Sequence, residues 1–477
     1  MKFPSLGGTN RSLAQLIFGL ICVSVGTLAS AAPAAKPNFI FILADDLGWT
    51  CLSQRMDDRV PNSHSDFHET PALERLARRG MRFTNGYAPD ALCCPTRRSI
   101  QFGQTPTRQG DERFPKNYDP VAHPRLTIPK MLKAANARYR TAHYGKWDLR
   151  AGIFPEDLGY DESDGNTGNN NGDVSSDKDS KWTTHYLNKD PKRIGTLTER
   201  ALSFVRRNHA AGTPFYLQLS HYATHVDIQS KEETFEKYSA KPKGRIHSNP
   251  AWAAMLEDLD TGIGRLLDEV EKLGLSDRTY VIFMADNGAA EFVPPVKNKM
   301  DHPSAFPVPP RNFPLRGGKW VLYEGGIRVP FLVSGPGVRA GGQSDVPVAG
   351  WDLLPTLADL AGYAQPLPTD LDGGSFRPLF ANGSGRVARP QESLIFHRYA
   401  NATPHTVLRV GDYKLIKIWK ADKLELYNLK DDLGETTDLA AKLPQKTEEM
   451  RVKLMERLKQ VDAEVLHGYG SGKKAED

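Results

Sequence analysis

Cysteine is scarce in this sequence: four among 477 residues, at positions 22, 51, 93 and 94. So sparse a set excludes a disulfide framework, and neighbouring cysteines rarely bridge each other because the geometry is strained. Blocks of like charge are also missing. The formal charge is +5, and removing the first 31 residues, whose charged residues are Lys2 and Arg11, leaves +3. Nothing in that balance marks a nucleic-acid or membrane surface. No internal repeat is visible. With 39% hydrophobic and 25% charged residues, the chain has the composition of an ordinary globular protein, long enough to bury one or two cores.

What is present begins with an export signal. Lys2 and Arg11 precede the apolar run "LAQLIFGLICVSVGTLA", which ends in the small residues Ala29, Ser30 and Ala31. The run is slightly short for a membrane anchor and the small residues follow at once, which favours cleavage. Ile21 before Cys22 does not suit a lipoprotein signal. Residues 1–31 are therefore expected to be a signal peptide. The rest is expected to be exported, periplasmic or secreted, with no stable membrane span after cleavage. Cys51, Cys93 and Cys94 remain, and a leftover thiol near basic residues asks for a chemical explanation.

Short runs rich in β-branched and aromatic residues read as buried strands: "NFIFILA", "FYLQLS", "YVIFMA" and "PFLVSG". Helical patterns alternate with them. "TPALERLARRG" offers Thr70 as N-cap, Pro71 at the first helical position and Gly80 as the stop. The stretch beginning "PAWAAMLEDLD" repeats apolar residues at three and four positions. The alternation predicts an α/β sandwich built on a largely parallel sheet. "DESDGNTGNNNGDVSSDKDSK", from Asp161, has no apolar period and reads as a solvated loop. After about residue 380 the strand-like "ESLIFHRY", "HTVLRV", "YKLIKIW" and "LELYNL" precede one helical stretch. A small antiparallel sheet with a terminal helix is expected there. The division is 32–380 for the main domain and 381–477 for a C-terminal α+β subdomain.

Two predicted strands run straight into acids, one into Asp45 and Asp46 and the other into Asp286 and Asn287. In open α/β sheets the crevice beyond the carboxyl ends of the strands is the usual site. Three carboxylates and an amide oxygen gathered there would repel unless a cation joined them, and all-oxygen ligands suit Ca²⁺ or Mg²⁺ better than zinc. Taken singly, the acids have plainer readings: the first pair as turn caps, "DNG" as a hairpin signal. In "ALCCPTRRSIQFG", a helix beginning at Pro95 would place Cys93 at its N-terminus, where free N–H groups favour an anion, with Arg97 on roughly the same face. The alternative is a pair of buried small thiols.

"CCPTR" fits the CxPxR signature of the formylglycine-dependent sulfatases, members of the alkaline phosphatase-like superfamily, with Cys93 as the modified cysteine. "FILADDLGW", "HYGKWDL", "HYATH", "MADNGA" and "LRGGKWVLYEGGIRVPF" follow in that family's order and approximate spacing. The likeness covers nearly all of residues 37–440 and is specific as an ordered set, although each motif alone is weak. The resemblance implies an alkaline phosphatase-like α/β sandwich with a large mixed, mostly parallel sheet and a smaller antiparallel one. It also implies a separate maturation enzyme that oxidises Cys93 to formylglycine. In the family, one hydroxyl of the hydrated aldehyde attacks sulfur and the second then expels sulfate, which a plain serine ester does not allow.

By the same matching, Asp45, Asp46, Asp286 and Asn287 hold Ca²⁺ together with a residue-93 oxygen. Arg97 steadies the hydroxyls, Lys146 and Lys319 bind sulfate oxygens, and His225 protonates the departing alcohol. The chain departs from the commonest pattern, GKWH, by reading GKWD: Asp148 stands where a histidine usually takes a proton. A carboxylate serves as a base but adds negative charge beside an anion. His143 is given no role. His397, Arg398 and His405 are placed as substrate contacts from the C-terminal sheet, against the reading of a solvated sheet edge. The expected substrate is a sulfate monoester of a small or oligomeric carbohydrate, or of an aryl alcohol. The alternatives are a phosphonate or phosphodiester hydrolase on the same scaffold and a catalytically impaired, sulfatase-like binding protein.

Overall fold

The longest β-branched and aromatic runs become the centre of one sheet, because strands buried on both faces must be apolar throughout. The computed structural model describes Met1 and residues 36–110, 125–150, 152–172, 185–290, 311–399 and 404–463. All of the expected signal peptide except Met1 therefore lies outside the described residues. Eight strands form the large sheet: β1 (Asn38–Ala44), β2 (Met81–Phe83), β3 (Arg140–Gly145), β4 (Glu162–Ser163), β5 (Phe215–Ser220), β6 (Thr279–Ala285), β7 (Phe331–Ser334) and β8 (Gly342–Ser344). Their order is β8-β2-β7-β6-β1-β5-β3-β4. All pairings are parallel except those of β7, which runs against β6 and β2. Every residue of β1, β5 and β6 is buried. This is the mixed, mostly parallel sheet of the expected α/β sandwich.

Helices α1 (Pro71–Arg79) and α2 (Cys93–Phe102) correct two local expectations. Thr70 occupies the N-cap of α1 but makes no capping bond; its hydroxyl accepts from Ser53 N instead. The α1 amides of Ala72 and Leu73 donate to Asp260 at 2.8 and 2.9 Å. That carboxylate comes from α4 (Pro250–Lys272), which follows α3 (Ile194–Ala210). A side chain 188 residues away thus does the work expected of the adjacent threonine, and no local pattern reports it. Helix α2 starts at Cys93 rather than at Pro95, so both cysteines lie inside its first turn. It ends on Gly103 in the left-handed conformation.

The predicted polar loop after Asp161 is partly strapped down. Its described residues include β4, and Asp164 Oδ2 accepts the Gly145 amide at 2.7 Å. The Thr167 hydroxyl accepts from Trp147 N, and Thr167 O accepts from Asp148 N at 2.8 Å. Residues 173–181 of that loop lie outside the described residues.

The C-terminal strands β9 (Leu394–Arg398), β10 (His405–Val410), β11 (Tyr413–Ile418) and β12 (Lys423–Asn428) pair antiparallel in sequence order. Strict alternation splits their side chains. Ile395, Leu408, Leu415 and Leu426 pack on Met450, Leu454 and Leu458 of helix α6 (Pro444–Gln460), numbered after α5 (Leu353–Ala361). Phe396, Val407, Ile416 and Tyr427 face the other way, onto Tyr87, Trp351, Leu322 and Ile327. The terminal sheet is therefore packed on both faces, and the described residues from Lys36 onward form one compact unit. Among the described residues no helix is long and apolar enough to cross a membrane.

Candidate active site

Sheet register alone brings the acids together. β1 and β6 are parallel with Ala44 opposite Ala285, so Asp45 and Asp286 leave the sheet side by side. β5 lies on the other side of β1, pairing Ser220 with Leu43, and β3 pairs Gly145 with Ser220. Four adjacent carboxyl ends thus deliver the segments beginning at Asp286, Asp45, His221 and Lys146 into one crevice. Asp46 adopts φ 55°, which turns the chain back over the strand ends. The Thr224 hydroxyl donates to the carbonyls of Asp45 and Asp46, both at 3.2 Å.

In that crevice one ligand atom from each of Asp45, Asp46, Cys93 and Asp286 lies within 4.8 Å of all the others. Cys93 Sγ is 3.3 Å from Asp45 Oδ1 and 3.8 Å from Asp46 Oδ1. Three cations surround the carboxylates. Arg97 donates to Asp286 Oδ2 from Nε and Nη2 at 2.9 and 2.6 Å. Lys146 Nζ meets Asp45 Oδ2 at 2.5 Å, and Lys319 Nζ meets Asp46 Oδ2 at 2.7 Å. His225 Nε2 is 3.8 Å from Asp46 Oδ2, while its Nδ1 bonds the Val226 carbonyl. Asn287 Nδ2 donates to Asp46 Oδ1 at 2.7 Å.

Burial sets the electrostatics. It pushes Asp45 up, but Lys146, His225, Arg97 and Lys319 together hold that carboxyl well below its usual range. Burial and the neighbouring Asp45 push Asp286 up to about 7 in spite of Arg97. Burial, Asp286 and Asp45 also push the Cys93 thiol well up, and burial takes Cys94 up to about 11. Burial followed by Lys319 brings His225 down to about 3. Burial pulls Lys146 down, but Asp45, Cys93 and Asp148 together hold it well above its ordinary value, so it stays protonated.

The residues fit a hard divalent cation. Asn287 Oδ1 is buried and has no hydrogen-bond partner, an acceptor left open beside three carboxylates. Those carboxylates are matched by three fixed cations, so a divalent ion added to the set leaves a net positive crevice suited to an anion.

Asp148 stands at the mouth, its side chain 12% exposed, with Oδ2 3.7 Å from Lys146 Nζ and Oδ1 3.7 Å from Arg150 Nε. Both Asp148 and Arg150 hold left-handed backbone, φ 48° and 61°, a conformation found disproportionately at functional sites. Arg150 escaped the sequence reading because no motif marks it. It answers the charge objection to Asp148 by setting a guanidinium against the carboxylate.

Lys319 is carried by a glycine-rich segment folded on itself. A Cβ at Gly326 would lie 1.9 Å from Val321 O, and one at Gly288 would lie 1.7 Å from Gly325 O. Trp320, next to Lys319, has φ 76°, a strain of order 1–3 kcal/mol that persists only where the surroundings fix it. Lys319 N donates to Ala289 O at 3.1 Å and Trp320 N to Ala91 O at 2.9 Å.

The remaining expected residues are not in the acidic cluster. His397, Arg398 and His405 are buried, between 2% and 4% exposed. His397 Nδ1 bonds Thr406 Oγ1 at 2.7 Å. Arg398 Nη1 reaches Ala91 O at 3.4 Å and Asp90 at 3.7 Å. His405 Nε2 accepts the Leu322 amide at 2.8 Å. The solvated sheet edge that was the other reading of these residues is not what is observed. His143 is a core residue, bonded to Ser220 Oγ and edge-on to Trp147.

Comparison with known proteins gives this site a family. A family model described as Sulfatase matches residues 37–363, and one described as N-sulphoglucosamine sulphohydrolase, C-terminal, matches 318–464. The chain is 28% identical to a sulfatase of Formosa agariphila over 89% of its own length and 88% of that protein's. It is 27% identical to the N-acetylgalactosamine-6-sulfatase of Mus musculus, covering 83% of this chain and 74% of that one. Among solved structures, Ps i-CgsB in complex with k-i-k-neocarrahexaose shares the fold with a TM-score of 0.70, at 24% identity over 89% of this chain and 93% of that one. With a family match spanning most of its length and the expected acids, lysines and CxPxR cysteine in one crevice, the chain belongs to the sulfatases, enzymes that hydrolyse sulfuric esters.

Proposed function

We propose that the chain is an exported sulfatase that removes sulfate from sulfated carbohydrates, using formylglycine made from Cys93 and a bound Ca²⁺. The observation that carries this reading is the meeting of Asp45, Asp46, Asp286 and Cys93 within 4.8 Å, flanked by Lys146 and Lys319. As a thiol, Cys93 is a poor reagent here: burial and two carboxylates disfavour the thiolate, and sulfur is a soft donor beside a hard cation. Formylglycine at that position supplies paired hydroxyls, one to attack sulfur and one to release sulfate. Asp45, Asp46, Asp286 and Asn287 would hold the Ca²⁺, which would supply Lewis-acid chemistry at the sulfate site.

The chain's own side chains do the rest. Lys146 and Lys319, buried and protonated, present Nζ to the sulfate oxygens. Arg97 fixes Asp286 and closes the floor. His225 rests neutral, because burial and Lys319 depress it. An arriving sulfate ester offsets Lys319 and lets the ring hold the proton that it passes to the leaving alcohol. Asp148 takes the proton during sulfate release, with Arg150 offsetting its charge.

Carbohydrate is favoured as the substrate by the N-acetylgalactosamine-6-sulfatase among the relatives and by the C-terminal match to N-sulphoglucosamine sulphohydrolase. Residues 32–380 form the catalytic part and 381–477 the accessory one. The test is to co-express the chain with a formylglycine-generating enzyme, read the mass of the residue-93 peptide, and assay the calcium-loaded protein on defined sulfated sugars beside phosphate esters of the same alcohols. Conversion at residue 93 and faster sulfate cleavage are expected. Full-rate desulfation with residue 93 still a thiol, or faster phosphate cleavage, overturns the proposal.

A further inference from the structure

The segment that carries Lys319 is held from two sides. On the strand-end side, Lys319 N and Trp320 N donate to Ala289 O and Ala91 O. On the other side the contacts come from the C-terminal sheet. Leu322 N donates to His405 Nε2 at 2.8 Å, and Glu324 N donates to Glu435 Oε2 at 2.6 Å. Lys414 on β11 joins the two acids, 2.9 Å from Glu324 Oε1 and 2.7 Å from Glu435 Oε1. Glu324 and Lys414 are completely buried and His405 is 4% exposed.

These contacts answer a need stated by the backbone. Trp320 is held left-handed, a state that relaxes unless its surroundings over-determine it. Two residues beyond it, Leu322 and Glu324, are each anchored through the backbone amide, and both acceptors belong to the C-terminal part. A ring nitrogen that accepts an amide must carry its lone pair there, which puts the proton on His405 Nδ1. Placed this way, His405 has its Nε2 engaged with protein backbone and not with a ligand.

We propose that His405 is a positioning residue for Lys319. By accepting the Leu322 amide, backed by the Lys414–Glu324–Glu435 group, the C-terminal sheet fixes Lys319 Nζ against Asp46 and the sulfate site. The proposal rests on the reading of Lys319 as a sulfate-binding lysine. It predicts something a sugar-gripping histidine does not: loss of His405 harms every sulfate ester alike, because the displaced group acts on the sulfate and not on the alcohol.

The test compares His405→Leu, His405→Gln and Lys319→Ala on a small aryl sulfate and on a sulfated monosaccharide. kcat, KM, inhibition by inorganic sulfate and thermal midpoint are recorded for each. His405→Leu should lower kcat about tenfold to a hundredfold on both substrates, the scale of a misplaced catalytic group, and should weaken sulfate inhibition in parallel. His405→Gln, whose side-chain oxygen can stand near the lost Nε2, should recover most of the activity. In the unmodified enzyme the Leu322 amide should be strongly protected from hydrogen exchange.

A loss confined to the sugar substrate, equal losses in His405→Gln and His405→Leu, or a Leu322 amide that exchanges like an exposed loop each overturn the proposal. The exchange measurement decides if His405→Leu does not fold. Lys319→Ala separates the two readings: full activity there sinks the role of Lys319 itself, whereas an inactive Lys319→Ala beside a fully active His405→Leu sinks only the positioning role.

Discussion

Two buried ionic clusters sit on either side of the Lys319 segment, and they are built to opposite ends. Around Glu324 the charges satisfy one another: its carboxylate takes Lys414, Arg328 and the Tyr87 hydroxyl at 2.7 to 2.9 Å, and burial is outweighed so that the acid lies far below its usual range. Around Asp45 the carboxylates face each other and a thiol, Asp286 is driven up to about 7, and Asn287 Oδ1 has no partner. In the first cluster each acid meets a cation of the chain, Lys414 reaching Glu435 as well as Glu324, although burial and Glu324 push Glu435 up to about 7. The second becomes complete only with something added, which is the physical signature of a site kept for binding and chemistry at a cost in stability.

That contrast can be broken most sharply at the reacting atom. Cys93→Ala should lower turnover at least about a thousandfold, the scale of losing a covalent nucleophile, with the thermal midpoint nearly unchanged. A variant that keeps more than a tenth of the activity ends the comparison. Next in size is stability. Lys414→Met leaves Glu435 buried without its cation and Glu324 with Arg328 alone, and should cost about 3–5 kcal/mol in denaturant unfolding. Asp286→Asn neutralises a group that burial and Asp45 already hold near neutrality. It should move the midpoint of chelator-treated protein less than Lys414→Met does, and should abolish the rise in midpoint expected when Ca²⁺ is added to the parent.

The smallest effect concerns a buried acid that serves neither cluster. Burial pushes Asp260 up to about 7 even though it accepts the amides of Ala72 and Leu73. Its folded value lies above that of an unfolded aspartate, so the folded protein holds more protons between roughly pH 4 and pH 7. Stability therefore falls as pH rises through that window. Asp260→Asn should flatten that slope in thermal midpoints taken across the range; an unchanged slope assigns it to other groups.

Much of the site was legible because its parts are local. Acids directly after apolar runs, a cysteine and an arginine four apart, and a lysine in a glycine-rich turn each stand in a short stretch, and their order names the family. What was not legible depends on long separations. Asp260 caps a helix 188 residues away. Thr167 braces Trp147 and Asp148 from within an apparently featureless polar stretch. His405 shares a strand with ordinary core residues, and only its bond to Leu322, 83 residues earlier, gives it a place in the site.

The sequence by itself determined which strands are buried, where the acids and basic residues enter, and the chemistry those residue types permit, because apolar runs and side-chain charge are properties of short segments. Only the tertiary structure decided that Ala44 and Ala285 are in register, so that Asp45 and Asp286 share one crevice. It also decided that the C-terminal sheet lies against the Lys319 segment. Both are outcomes of packing whole layers together, where a position is fixed by every other element at once.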